Sequence, residues 1–166
     1  MPKLLAVVST THYCQGVICR ALDDAQAANG LTGDASAATT VTLLYGMEDG
    51  RLDEGLTPAR ESDWLGNEPH DDLVRAVYEV RDRLAATRID LARHLAGERH
   101  VALEVRETAA PYVEAANELL DGEHFDAIYL TRANRTCFSR LLFGSEVDAV
   151  VRHVQDGAAP ARVIVV

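Results

Sequence analysis

The chain has 166 residues, 48% of them hydrophobic, which predicts a single domain spanning residues 1–166 with a substantial core. Its 26 acidic and 16 basic residues give a net charge of −10, which argues against a nucleic-acid partner because no basic patch is large enough. No apolar run approaches the ~20 residues that span a membrane, and the N-terminal MPKLLAVVST is too short for a signal peptide. We therefore expect a cytoplasmic protein without a membrane partner.

The acidic residues dominate the charged set, and Lys3 is the only lysine among the basic residues. Proteins from salt-loving organisms resemble this composition, and a GC-rich genome that favours arginine over lysine gives the same bias. The cysteines are Cys14, Cys19 and Cys137, an odd number without a CxxC pair, which argues against a disulfide framework.

Five short apolar runs predict the strands of a sheet. They are, in chain order, LLAVV (4–8), VTLLY (41–45), VALEV (101–105), FDAIYL (125–130) and VIVV (163–166). Between the second run and the next helix, residues 46–70 carry turn formers and charges without a period, and we interpret them as a long excursion.

Amphipathic segments separate these runs and predict four helices. The first is ended by Asn29-Gly30 and Gly33-Asp34, and the second is capped by Asp71 or Asp72 and ended by Gly97. The third runs from a Thr108 cap, with Pro111 in its first turn, to Gly122, and Gly157 and Pro160 break the fourth. Their expected core faces are Val17, Ile18, Ala21, Leu22 and Ala25; Leu73, Val77, Val80, Leu84, Leu91 and Leu95; Tyr112, Val113, Ala116, Leu119 and Leu120; and Val147, Val150, Val151 and Val154.

The alternation of strands and helices predicts a doubly wound five-stranded parallel sheet with helices on both faces. An order 2-1-3-4-5 would bury the third strand in the middle, whereas 3-2-1-4-5 places it at an edge. VALEV alternates around Glu104, as an edge strand does, so we favour 3-2-1-4-5. This order leaves VIVV at the other edge, where Val163, Ile164, Val165 and Val166 predict pairing with a second copy in a two-fold dimer.

In that sheet the loops that follow the first and fourth strands, residues 9–16 and 131–147, diverge at the topological switch point, where ligands bind in such folds. The second loop holds Arg132, Arg135 and Arg140 and leads to Gly144-Ser145 at a helix start. A helix start favours an anion. The three arginines are either ligands of an anion such as phosphate or members of exposed ion pairs on an acidic surface.

The C-terminal segment FDAIYLTRANRTCFSRLLFGSEVDAVVRHVQDGAAPARVIVV resembles the signature of universal stress proteins. Members carry Gly-x2-Gly-x9-Gly-Ser/Thr, then a helix, a proline-bearing turn and an apolar strand, and Thr131-x2-Asn134-x9-Gly144-Ser145 keeps that spacing. KLLAVVSTTHYCQGVICRALDDA resembles the first strand and helix of the same family. The resemblance implies an adenine nucleotide alpha hydrolase-like α/β fold and a stress-response or regulatory role.

The departures from the family pattern concern the nucleotide site. Thr131 and Asn134 stand where nucleotide-binding members have glycines, and Ser9 stands where they commonly have an aspartate. Tyr45-Gly46 replaces the His-Val that often follows the second strand. The chain therefore resembles the branch that lacks the glycine motif and does not bind ATP.

Other candidate residues have ordinary alternatives. Ser9, Thr10 and Thr11 are either a phosphate-binding turn or helix caps. Cys14, Cys137 and His12 could form a redox pair or a metal site, but no fourth ligand is evident, so we expect buried thiols and no metal. Ser145 is a helix residue rather than a nucleophile, because no base and orienting acid are spaced for it.

From these features we expect a non-catalytic homodimeric regulatory domain with weakened or lost ATP binding, no cofactor and a regulatory partner that the sequence does not identify. The alternative is a domain of the same type that keeps ATP or another anionic ligand in an altered site, with slow hydrolysis. A third hypothesis, a nucleotidyl-transferring enzyme, lacks the Ser-Gly-Gly-rich turn after the first strand.

Overall fold

The computed structural model describes residues 2–32, 38–48, 67–131, 146–158 and 161–166. Its strands are β1 (Lys3–Ser9), β2 (Thr40–Gly46), β3 (Ala102–Thr108), β4 (Ala127–Leu130) and β5 (Arg162–Val165). Its helices are α1 (Gln15–Thr32), α2 (Asn67–Glu98), α3 (Tyr112–Gly122) and α4 (Glu146–His153), and a π-helical turn, Val154–Ala158, follows α4.

All strand pairs are parallel, and the sheet order is β3-β2-β1-β4-β5. The predicted 3-2-1-4-5 order is therefore confirmed. β1 lies at the centre, where it pairs with β2 on one side and β4 on the other. β1 and β2 are buried along nearly their whole length, as strands covered on both faces are, whereas exposed and half-buried residues alternate in β3 at the edge.

The alternation of side chains along β1 divides the core into two layers. Leu4, Ala6 and Val8 pack with residues of α1 and α2 on one face. Leu5 and Val7 pack with residues of α3 and α4 on the other. The layers are closed by the predicted face of α1 (Val17, Ile18, Ala21, Leu22 and Ala25) and by Val147, Val150 and Val154 near the C-terminus, all of them buried.

Two predicted helix starts are wrong, and so is one of the two stop signals predicted for the first helix. α1 continues through Asn29 and Gly30 to Thr32, because a glycine in a helix lowers its stability without breaking it, and the other predicted stop, Gly33-Asp34, lies outside the described residues. α2 begins at Asn67, before Asp71 and Asp72, so the last residues of the expected excursion are helical. β3 extends to Thr108, and α3 begins after Pro111 without a side-chain cap, while the Thr108 hydroxyl accepts a hydrogen bond from the Ala110 N–H.

The predicted core face of α2 is wrong in its first half. Leu73, Val80 and Leu84 are exposed, and the buried residues of the helix are Ala85, Ile89, Ala92 and Ala96. A helix of 32 residues is about 48 Å long, which exceeds the reach of the seven-residue strands it covers. Only its C-terminal half lies against the sheet, and small alanines let it approach closely there.

β5 lies at the edge of the sheet, as the sequence predicts. Val165 and Val166 are exposed, while Val163 and Ile164 are half-buried against opposite core layers. The Arg162 N–H donates to Asp126 O, and the Val166 N–H donates to Leu130 O. Because successive N–H groups of a strand alternate in direction, those of Val163 and Val165 point away from β4. None of the helices in the described residues combines the length and the apolar character of a membrane span.

Candidate functional site

The carboxyl ends of the three strands β1, β2 and β3 are aligned. Ser9 pairs with Gly46, and Gly46 pairs with Thr108. A Cβ on Gly46 would lie 3.2 Å from Ser9 Cβ, so the close approach of these two strand ends favours glycine at this position. β4 ends beside them at Leu130, and the following Thr131 is buried. The loops after β1, β2 and β4 therefore start from one end of the sheet, as predicted for the ligand site.

Backbone and hydroxyl groups tie the first two of these loops together. Thr10 N–H donates to Gly46 O at 2.9 Å, and the Thr10 hydroxyl donates to Met47 O at 3.3 Å. His12 N–H donates to Ser9 Oγ at 3.0 Å, which closes a tight turn. The described hydrogen bonds of the Ser9, Thr10 and Thr11 hydroxyls thus run within and between these loops rather than to the backbone of α1.

This turn directs the imidazole of His12 into the protein, where only 3% of the residue is exposed. The ring stacks on Tyr112 of α3, with centroids 5.0 Å apart. Its Nδ1 lies 2.9 Å from the Thr11 hydroxyl, and its Nε2 lies 3.0 Å from Glu146 Oε2. His12 therefore links the loop after β1 to the first residue of α4.

Glu48 follows β2 and is 2% exposed, an unusual environment for a carboxylate. Its Oε2 accepts hydrogen bonds from the Thr11 hydroxyl at 2.5 Å and the Thr11 N–H at 3.3 Å. Its Oε1 lies 3.9 Å from His12 Nδ1 and has no hydrogen-bond partner among the described residues. The backbone of Glu48 is in the left-handed region at φ 54°, which is uncommon outside glycine.

Glu146 begins α4, so its carboxylate lies at the positive end of that helix, where negative side chains are stabilised. One ligand atom from each of His12, Glu48 and Glu146 lies within 4.8 Å of the others. We call these three residues the His-Glu-Glu cluster. It brings together two carboxylates and one imidazole at the end of the sheet where a ligand was expected.

The pKa of the Tyr112 phenol is affected by its burial beside this cluster. Burial raises the pKa of the Tyr112 phenol far above its ordinary value, and the negative charge of Glu48 raises it further. The phenol therefore stays protonated at every pH that a cell experiences. Tyr112 packs against the His12 ring as an uncharged aromatic side chain.

A cation lies on the other side of the loop after β1. Arg88 of α2 donates to Thr10 O at 3.2 Å and to the Tyr45 hydroxyl at 3.0 Å, and its guanidinium lies 4.1 Å from the centre of the Tyr13 ring. Burial raises the pKa of the Tyr13 phenol, and the charge of Arg88 works in the opposite direction. Arg88 fixes the backbone of this loop from outside the His-Glu-Glu cluster.

Of the predicted ligand residues, the structure brings Ser9, Thr10, Thr11 and Gly46 together at the strand ends, with Thr131 buried after the neighbouring β4. The other six predicted residues lie outside the described residues: Arg132, Asn134, Arg135, Arg140, Gly144 and Ser145. Cys137 lies outside them as well, so its expected proximity to Cys14 stays a prediction. Cys14 and Cys19 are half-buried free thiols.

The sequence analysis did not identify Glu48 and Glu146, and it considered His12 only together with cysteines. A usable signal existed, because Glu48 follows β2 and Glu146 follows Gly144-Ser145 at the expected helix start. Acidic residues are so frequent in this chain, 26 in total, that neither one stands out.

Neither a family model nor a curated protein matches this sequence. Solved structures do match over nearly the whole chain. A universal stress protein in complex with cAMP is 15% identical, with 99% of this chain and 95% of that chain covered and a TM-score of 0.56. The chain has the fold of the universal stress proteins.

Two further solved structures match over nearly the whole chain. The hypothetical protein MJ0577, a structural-genomics test case of function assignment from structure, is 13% identical, with 100% and 96% of the two chains covered and a TM-score of 0.62. A protein from the universal stress protein family from Burkholderia pseudomallei is 16% identical, with 98% and 94% covered and a TM-score of 0.52. At such identities the likeness concerns the fold, which agrees with the resemblance of the sequence motifs.

Proposed function

We propose that this chain is a non-catalytic regulatory domain of the universal stress type, and that its own side chains occupy the cleft where a nucleotide would bind. The observation that carries this proposal is the His-Glu-Glu cluster, with His12 and Glu48 buried, at the carboxyl ends of β1 and β2 and the N-terminus of α4. The absence of glycine at positions 131 and 134 supports it independently.

Electrostatics explain why the cluster opposes a nucleotide. The N-terminus of a helix attracts phosphate through its free N–H groups and its dipole. Here Glu146 supplies a carboxylate to that end, and Glu48 adds a second one. A carboxylate and a phosphate carry like charges, and at a separation of 4 Å they would repel by about 4 kcal/mol at an effective dielectric constant of 20. This repulsion exceeds the ~0.3–1 kcal/mol of attraction that a helix dipole contributes.

Thermal unfolding with and without ATP or cAMP, each in the presence of magnesium, tests the proposal. We expect no change in Tm at millimolar nucleotide. A nucleotide at 100 times its Kd would stabilise the protein by about 2.7 kcal/mol, which corresponds to roughly 5–11 °C at this chain length. A shift of that size with the wild-type protein would overturn the proposal.

The variant Glu146→Gln tests whether charge is the cause, because it removes one of the two carboxylate charges while keeping the shape of the side chain. If charge excludes the nucleotide, this variant gains nucleotide affinity, whereas Glu79→Gln on the exposed face of α2 gains none. Equal behaviour of the two variants would show that repulsion by Glu146 is not the cause.

A second candidate function keeps an adenosine ligand in altered geometry. It is favoured by the cAMP complex of a protein with the same fold and by the location of the cleft at the switch point of the sheet. The same titrations distinguish the two candidates, since only the second predicts a nucleotide-dependent rise in Tm for the wild-type protein.

We also propose that the domain is a homodimer through β5, supported by the exposed Val165 and Val166 at the sheet edge. Val165→Pro removes an N–H that points away from β4 and leaves the β4–β5 hydrogen bonds intact, so it should convert a dimer into a folded monomer. Val165→Thr keeps both the N–H and the side-chain shape and should leave the dimer intact. Light scattering coupled to gel filtration measures the mass; a monomeric wild-type protein would contradict this part of the proposal.

A further inference from the structure

We infer that the His-Glu-Glu cluster binds one divalent transition-metal ion, with zinc as the ion that its donor set fits best. This inference goes beyond the proposed function, because neither a regulatory role nor the loss of a nucleotide requires a metal. It rests on the positions of His12, Glu48 and Glu146 and on the hydrogen bonds of Thr11.

The hydrogen bonds define the protonation of the imidazole. The Thr11 hydroxyl donates its only hydrogen to Glu48 Oε2, so it can only accept from His12 Nδ1, 2.9 Å away. Nδ1 therefore carries a proton. In the neutral ring Nε2 then presents a lone pair toward Glu146 Oε2 at 3.0 Å, and from these positions both atoms can bind the same cation.

The buried carboxylate of Glu48 also favours a cation at this site. Glu48 is 2% exposed, its Oε1 has no hydrogen-bond partner among the described residues, and one of its carboxylate oxygens belongs to the group of donors within 4.8 Å of one another. A buried carboxylate oxygen that faces a second carboxylate is unfavourable unless a cation or a proton compensates it. The left-handed backbone of Glu48 is the kind of strain that persists at binding sites.

The separation of the donors suits a small ion. Zinc bonds to nitrogen and carboxylate oxygen are about 2.0–2.2 Å long, which places two donors of a tetrahedral ion about 3.4 Å apart. Nε2 and Glu146 Oε2 lie 3.0 Å apart, and a Glu48 carboxylate oxygen lies within 4.8 Å of a His12 ring nitrogen and of a Glu146 oxygen. A change in the Glu48 side-chain rotamer would bring the third donor to bonding distance of the ion.

The surroundings supply the usual support of a metal-bound histidine. The ring nitrogen that does not hold the metal is hydrogen-bonded to Thr11, and the ring is fixed by stacking on Tyr112. One imidazole and two carboxylates suit zinc better than magnesium or calcium, which prefer oxygen alone. Three protein ligands leave a fourth position for water or for an added ligand.

Isothermal titration of the full chain with zinc chloride, after removal of metals with EDTA and desalting, tests the inference. Millimolar magnesium in the buffer saturates weak surface carboxylates. We expect one zinc ion per chain and a rise in Tm. Glu48→Gln should lose more than the roughly 10–100-fold in affinity expected for Thr11→Val, which removes only a supporting hydrogen bond. Glu79→Gln, an exposed matched control, should bind zinc like the wild-type protein.

Two further readouts keep the test decisive. If Glu48→Gln does not fold, Glu146→Gln replaces it, because Glu146 is partly exposed at a helix start. Substitution with cobalt should give visible bands without a thiolate charge-transfer band, since no cysteine is a ligand. Retention of stoichiometric zinc in the folded variant overturns the site. A thiolate band also overturns it and assigns the metal to one or more cysteines.

The competing explanation is an imidazolium of His12 that donates to both sides. In that case no zinc binds, and nitrogen NMR of the metal-free protein shows His12 protonated on both nitrogens near neutral pH. Zinc binding without nucleotide binding supports both the metal site and the loss of the nucleotide. Zinc-dependent binding of ATP would support the metal site and overturn the loss of the nucleotide.

Discussion

The substitution Tyr112→Phe should remove part of the alkaline sensitivity of this protein. Tyr112 is 2% exposed, and both burial and the Glu48 charge raise the pKa of its phenol far above the ordinary value. The folded protein therefore keeps the phenolic proton at a pH where the unfolded chain has lost it. A raised folded-state pKa contributes stability that is present below the unfolded pKa of about 10 and is lost as the pH rises above it.

The expected magnitude follows from linkage. Each pH unit above the unfolded pKa lowers the free energy of unfolding by about 1.4 kcal/mol for one such group, so the loss that Tyr112 causes by pH 11 is about 1.4 kcal/mol. Tyr13 and Tyr129 also have raised pKa values, but they are present in both proteins and cancel in the comparison.

Urea unfolding followed by circular dichroism at pH 8 and pH 11 measures this difference. The wild-type protein should lose about 1.4 kcal/mol more than Tyr112→Phe over that interval, whatever the two stabilities are at pH 8. Glu48→Gln, which removes the charge but not the burial, should leave most of the effect in place. Equal losses in the wild-type protein and Tyr112→Phe would refute the assignment of Tyr112 as a buried neutral phenol.

Four substitutions test the elements that sequence analysis placed incorrectly or did not foresee. Gly157→Ala should lower the free energy of unfolding by about 1–2 kcal/mol, because φ is +113° there, whereas Gly30→Ala within α1 should raise it by about 0.5–1 kcal/mol. Urea unfolding measures both, and a loss at Gly30 would contradict a helix that continues to Thr32. Ile89→Ala should cost about 2–5 kcal/mol, while Leu84→Gln should stay within about 0.5 kcal/mol. A large loss at Leu84 would place the first half of α2 against a partner.

The sheet could be predicted from the sequence because its strands differ in pattern. β1 and β2 are apolar over most of their length and lie inside, while β3 alternates around Glu104 and lies at the edge. Burial on two faces disfavours charged residues at every position, whereas burial on one face leaves every second position to them. The order of the strands followed from that difference alone.

Helix ends were less predictable, since several residue types compete for the same role. Asp71 and Asp72 have the chemistry of N-caps, yet α2 already begins at Asn67. The heptad spacing of Leu73, Val80 and Leu84 is the same as that of a buried stripe, and nothing local indicates that the sheet ends before those residues are reached. Burial depends on the length of neighbouring elements, which a helical period does not encode.

The candidate site was less predictable than the sheet and more predictable than the helix ends. The topology predicted where the loops after β1, β2 and β4 start, and Ser9, Thr10, Thr11 and Gly46 are indeed at that end of the sheet. The chemistry of the cleft was harder to anticipate, since it depends on two glutamates that are far from His12 and from each other along the chain.

The proposed change of charge at this site also affects how Thr131 and Asn134 are interpreted. If Thr131 and Asn134 merely blocked the close approach of a nucleotide, the cleft would be an ordinary polar gap with no reason to bury Glu48. A carboxylate that is 2% exposed is retained only where something compensates it, because an unpaired buried charge destabilises the fold. If both proposals hold, the residues at positions 131 and 134 and the burial of Glu48 beside Glu146 and His12 are two parts of one change, from a site that attracts an anion to one that attracts a cation.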